Sequence, residues 1–112
     1  MITDRVESWL TLDQAAELLG LSASKVRRLI EELVLFAVKI EGKLAIPADI
    51  IVDGQPLSSI RGTLIQLHDL GLSDSEAIEW LYQDNDILGE MPIAALLKGH
   101  KAPVRRAAQA LG

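Results

Sequence analysis

Five of the 11 lysines and arginines in this 112-residue chain fall between Lys25 and Lys43. Lys25, Arg27 and Arg28 lie close together, behind two hydroxyl side chains, Ser22 and Ser24. Ammonium and guanidinium groups pair with phosphate, arginine also forks onto the edge of guanine, and a serine hydroxyl can donate to either. Lys39 and Lys43 follow on either side of Gly42, where a tight turn would hold both near its tip. The chemistry open to this set is gripping and reading a polyanion. Each part also has an ordinary explanation. Two arginines can simply solvate a helix, and lysines on an edge strand discourage strand-to-strand association. The elements that carry them have to decide.

Other chemistries find little support. With no cysteine in the chain, disulfides, thiol nucleophiles and cysteine-containing zinc sites are excluded. His68 and His100 stand far apart, without acidic partners at metal spacing, so no metal is expected. Asp74, Glu76 and Glu79 read as the acidic start of a helix. Asp84 and Asp86 flank Asn85 in a turn that lacks the glycine and glutamate of a calcium loop. There is no Ser–His–Asp context, phosphate-binding glycine loop or paired catalytic carboxylate. The expectation is a protein that is not an enzyme and needs no cofactor.

Net charge is -5, which taken whole opposes a nucleic-acid partner. The charge is sorted into blocks, however. Residues 1–22 sum to -3, 23–47 to +2, 48–97 to -8 and 98–112 to +4. The last block contains Lys98, Lys101, Arg105 and Arg106. It reads first as charge that complements helix dipoles or the acidic middle, and second as a further DNA contact. Hydrophobic residues make up 49% of the chain and aromatics 4%, so the core rests on aliphatic side chains, with Trp9 and Trp80 as core or lid residues. Apolar runs such as Leu33–Val38 are far too short to span a bilayer. Met1–Leu10, with Asp4 and Glu7, does not resemble a secretory leader. A cytoplasmic protein with no membrane association is expected.

Thr11-x-x-Gln14 has capping-box form and opens a helix that Gly20 closes. Ser22 caps the next helix, 23–33, whose Val26, Leu29, Ile30 and Leu33 recur at helical spacing. With that stripe turned inward, Ser24, Arg28 and Glu31 point most directly outward. Arg27 flanks them on one side, and Lys25 and Glu32 on the other. Period-two alternation then takes over across 38–46, a β-hairpin turning at Gly42, with Leu44 and Ile46 facing the core and Pro47 ending the second strand. Asp53-Gly54-Gln55-Pro56 reads as a loop and as the internal boundary. Beyond it, four helices are predicted. One carries Ile60, Leu64, Leu67 and Leu70 and closes at Gly71; the next opens at the capping box Ser73-x-x-Glu76. A third runs from Pro92 to Lys98, and a last one from Pro103 through Leu111.

Helix, three-residue turn, helix and hairpin is the order of a winged helix-turn-helix. The predicted fold is mainly α with a small β-hairpin wing: a winged helix-turn-helix at 1–54, followed by a helical C-terminal unit at 55–112. The run TLDQAAELLGLSASKVRRLIEELVLFAVKIEGKLAIPADII resembles the compact winged helix of excisionases and MerR-type regulators. Adding LIQLHDLGLSDSEAIEWL and the terminal VRRAAQAL, nearly the whole chain resembles an actinobacterial winged-helix DNA-binding family known from a mycobacterial kinase substrate. That resemblance implies duplex DNA as the partner, with helix 23–33 in the major groove and hairpin 38–46 as the wing. Ser22, Ser24, Lys25, Arg27, Arg28, Lys39 and Lys43 are the expected DNA contacts, in a regulatory or nucleoid-associated role. Members of the family can carry a phosphorylatable threonine ahead of the domain. Of Thr3 and Thr11 at the start of this sequence only Thr3 is free of a capping role, and kinase regulation is not carried over. Glu31 and Glu32, on or beside the same face, oppose phosphate. The stretch WLYQDNDILGEMPIAALLKGHKAPVRRAAQAL also resembles, over fewer positions, the partner-binding unit of one antitoxin class. The alternative reading, which the net charge and Glu31 and Glu32 also support, is a non-enzymatic protein-interaction module with little or no DNA binding, with a partner or a second copy bound through 55–112.

Overall fold

A computed structural model describes residues 5–112; Thr3 and Asp4 lie outside the described residues. The chain divides into two compact units, Val6–Arg61 and Gly62–Gly112 with Arg5.

The first unit opens with strand β1 (Trp9–Thr11), which runs directly into helix α1 (Leu12–Leu19). Thr11 Oγ1 accepts from the Gln14 amide and Gln14 Oε1 accepts from the Thr11 amide, completing the expected capping box. Gly20, at φ 67°, lets the Leu21 amide reach back to the Ala16 carbonyl and so stops α1. Ser22 caps helix α2 (Ala23–Glu31) by accepting from the Lys25 amide at 3.2 Å. Ala15 and Ala16 of α1 and Val26 of α2 are buried where the two helices pack.

Helix α2 is shorter than the predicted 23–33. It ends in the same type of cap as α1, with Val34 N–H donating to the Leu29 carbonyl and Leu33 N–H to that of Ile30. Leu33 itself sits at φ 64°, the left-handed position usually given to glycine, so it leaves the helical stripe it was expected to extend.

Strands β2 (Val38–Ile40) and β3 (Lys43–Pro47) form the expected hairpin, and β1 adds to its other side in the order β1-β3-β2. β1 was not predicted. Register pairs Leu10 with Ile46 and Lys39 with Leu44, placing these four on one face of the sheet. Ile46 is fully buried there and Leu44 half-buried. Val38 and Ile40 pair with Ala45 and Lys43 on the opposite face. The turn is formed by Glu41 and Gly42, both with positive φ (53° and 80°), which makes it type I′ and matches the twist of the strands. Glu41 is exposed and is the less suitable of the two residues, because a β-carbon is strained there and asparagine is much better tolerated. Glu41→Asn should stabilise the protein by up to about 1 kcal/mol, a rise in melting temperature of roughly 2–4 °C by circular dichroism. A lower melting temperature would contradict the turn geometry.

Asp53-Gly54 turns as well, but as a second hairpin rather than a loop. Asp53 and Gly54 have φ 52° and 75°, and strand β4 (Ile51–Val52) pairs with β5 (Gln55–Pro56). Helix α3 (Ile60–Asp69) begins at the end of the first unit and continues into the second.

In the second unit, Leu64 and Leu67 of α3 are buried, and Gly71 closes the helix as expected. Helix α4 (Asp74–Leu81) starts at Ser73, whose side chain accepts from the Glu76 amide while the Glu76 carboxylate accepts from the Ser73 amide. These bonds hold the Glu76 carboxyl below its ordinary range. Ala77, Ile78, Trp80 and Leu81 bury the inner face of α4. Asn85 Oδ1 then accepts from the amides of Ile87 and Leu88, forming a side-chain turn between Asp84 and Asp86. Helix α5 (Pro92–Leu97) has proline in its first turn and stops at Gly99. Helix α6 (Lys101–Gln109) starts two residues before Pro103, which occupies its first turn, and ends before Leu111.

Candidate nucleic-acid interface

Helix α2 turns only Val26 fully inward, with Leu29 and Ile30 half-buried. At 100° per residue that leaves Ser24 and Arg28 on the outermost line, Arg27 on one flank and Lys25 on the other. All four are exposed, as is Ser22 at the helix mouth. Glu31 and Glu32 are exposed at the other end of α2, so the polar face grades from basic to acidic along its length. The Glu32 carbonyl, at the negative end of the helix, accepts from Arg61 Nε at 3.2 Å. Arg61 drew no attention in the sequence, because a lone arginine 29 residues away in sequence carries no local signal.

A groove of about 740 Å³ runs between the start of α2 and the wing. Ala23, Ser24 and Arg27 line one side, and Lys39, Gly42, Lys43 and Leu44 the other. Thr11, Leu12 and Asp13, where β1 runs into α1, line it as well. Four of the seven sequence-predicted site residues are thus brought together: Ser24, Arg27, Lys39 and Lys43. Lys25 and Arg28 lie outside the groove, on the remainder of the exposed helix face. Ser22 stands at the helix mouth with its oxygen already accepting from Lys25 N–H, which leaves its hydroxyl proton for another acceptor. Asp13 is the one acid lining the groove, and sequence reasoning missed it. It serves α1 as a first-turn acid, and nothing in its spacing connects it to a helix and hairpin further along.

Chemically, the groove offers three cations and the Ser24 hydroxyl on α2 and the wing, with the Thr11 hydroxyl and the Asp13 carboxylate beside them and no histidine or cysteine among its lining residues. That set suits a chain of phosphates approached from the helix and the hairpin together. In the second unit, His68 Nε2 lies 2.8 Å from Asp74 Oδ1, Lys98 Nζ lies 2.6 Å from Glu90 Oε1, and Arg5 pairs with Asp84 at 2.9 Å. Among the described residues, no helix is long and apolar enough to cross a membrane.

Two helices joined by a short turn, with a three-stranded sheet ending in a hairpin wing, define a winged helix-turn-helix, here followed by a helical C-terminal unit. The chain belongs to the Rv2175c family. Residues 2–51 match the family described as "DNA-binding protein Rv2175c, wHTH domain", and residues 57–112 match the "Rv2175c C-terminal domain of unknown function". The chain is 38% identical over 82 residues to the DNA-binding protein Rv2175c of Mycobacterium tuberculosis, an alignment covering 72% of this chain and 56% of that relative. It therefore spans little more than half the length of that protein. The fold is similar to the NMR structure of Rv2175c, with a TM-score of 0.84 and 33% identity, over 94% of this chain and 81% of that one. The family and fold expected from the sequence are the ones found.

Proposed function

We propose that this chain is a non-enzymatic DNA-binding protein of the cytoplasm, acting in transcription or in organising the nucleoid. Residues 1–54 are the DNA-binding unit in this reading, and 55–112 the helical C-terminal unit. Helix α2 enters the major groove, presenting Arg28 and Ser24 to base edges and Lys25 to the phosphates of one strand. Arg27, Lys39 and Lys43 hold the other strand in the groove between helix and wing, and the Ser22 hydroxyl donates to a phosphate at the helix mouth. The observation that carries this reading is the convergence of Ser24, Arg27, Lys39 and Lys43 on one groove from two separate elements. Solvating charge has no reason to converge in this way. The name of the mycobacterial relative points in the same direction.

Fluorescence anisotropy with a labelled mixed-sequence duplex at several salt concentrations tests the proposal. Binding should weaken steeply as salt rises, because each neutralised phosphate releases counterions. A protein that fails to bind even at low salt would overturn the assignment and leave the winged helix as a protein-binding scaffold.

A further inference from the structure

Within Gly62–Gly112, every lysine and arginine lies at or beyond Lys98, in a stretch without a single acid. Helix α6 buries Val104, Ala107 and Ala108, while Lys101, Arg105 and Arg106 are exposed; Lys101 and Arg105 are about 40° apart around the helix, and Arg106 lies about 100° beyond Arg105. Pairing with the acidic middle of the chain accounts for Lys98, which bonds Glu90. It does not account for the other three. Asp74 is taken by His68 and Asp84 by Arg5, and among the described residues Lys101, Arg105 and Arg106 form no ion pair. Even Asp69, which lines the same shallow groove as Arg105, does not bridge to it. Complementing the helix dipole accounts for Arg106, in the last turn. Lys101 has the opposite placement. It is the first residue of α6, where the dipole is positive and an acid is favoured, and His100 before it provides no side-chain cap. At Lys101 the positive charge is thus kept against the interest of its own helix.

We propose that Lys101, Arg105 and Arg106 form a second phosphate-contacting surface for duplex DNA, adding affinity that is independent of base sequence. This rests on the DNA-binding reading above. The three side chains span about 7.5 Å of helix axis at 1.5 Å per residue. One strand of B-form DNA presents a phosphate about every 3.4 Å of its axis, so the face matches two or three of them. Within α6 the remaining exposed residues, Ala102 and Gln109, provide no large apolar anchor of the kind that dominates protein interfaces; the exposed apolar side chains nearby are Leu70, in the groove beside Arg105, and Leu111, just past the helix.

The test is the same titration on the full chain, wild type beside the triple variant Lys101→Gln, Arg105→Gln, Arg106→Gln. The slope of log affinity against log salt should fall in magnitude by about 2–3, roughly 0.9 per contact. All duplexes should weaken by the same factor, since phosphates carry no sequence. Lys101→Glu gives a second readout with opposite signs: higher thermal stability for α6, because the acid suits the dipole, and weaker DNA binding. If wild type binds and the triple variant keeps its slope, this proposal fails alone, and the face is left to an acidic protein. If wild type does not bind at all, the DNA-binding reading fails with it.

Discussion

Replacing Arg27 and Arg28 together by alanine should lower DNA affinity on the order of a hundredfold while leaving the fold intact, taking about 1–3 kcal/mol for each direct contact. The fold should survive because both side chains are exposed on α2 and form no ion pair among the described residues. Alanine also has the higher helix propensity, so circular dichroism and melting should change little. The two single variants should differ in kind. Arg27 lines the groove beside Lys39 and Lys43, which in the proposed reading makes it a phosphate contact. Its loss should weaken every duplex alike and reduce the salt slope by about one. Arg28 lies on the outermost line of the helix with Ser24, the line that faces base edges when a helix lies in the major groove. Its loss should flatten the preference among duplex sequences more than it changes the slope. A folded double variant with wild-type affinity would remove α2 from the interface and with it the proposed function.

Much of this arrangement could be read from the sequence, and what could not be read has physical causes. The boundaries of α1 were legible because Thr11, Gln14 and Gly20 are the residue types that satisfy the open ends of a helix. The same holds for Ser73, Glu76 and Gly71 around the turn from α3 to α4. The end of α2 was not legible. Its cap uses the same pair of backbone bonds as that of α1, but with Leu33 in the left-handed position, so the glycine that normally signals the stop is missing. Strand β1 was missed for a different reason. Three residues are too few to display alternation, and its pairing with β3 spans more than 30 positions, so only tertiary structure reveals it. The Asp53-Gly54 turn was recognised as a break, but its residues suit a hairpin as well as a loop, and the two-residue strands flanking it carry no signal of their own. The groove was half legible. Residue types and helical phase identified the cations, but which of them share a groove depends on where the wing lies beside α2. That placement separates Arg27 from Arg28, although they are neighbours in the chain.

Ile46 is the fully buried apolar side chain of the wing hairpin, and its removal should have the largest effect on stability. Ile46 is fully buried in β3, the central strand, and its cross-strand partner on the same face is Leu10 of β1. Leu44, next along that face, is paired with Lys39 of the groove. Truncating Ile46 to alanine leaves a cavity beneath the one strand that ties the wing to β1, a loss of about 2–5 kcal/mol. A domain of this size has only about 5–15 kcal/mol to lose, so the midpoint of urea unfolding should fall markedly. Ile46→Val removes a single methylene and should cost about 0.5–1.5 kcal/mol, which gives the series an internal scale. The two variants should also differ in binding. With valine the sheet keeps its packing, and DNA affinity should stay near wild type. With alanine the hairpin loses its support, Lys39 and Lys43 no longer hold their positions opposite Arg27, and affinity should fall even where the protein remains folded. A cost below about 1 kcal/mol for alanine would mean that Ile46 is not enclosed as described. Unchanged affinity in a folded Ile46→Ala protein would mean that the wing does not take part in binding, and that α2 carries the interface alone.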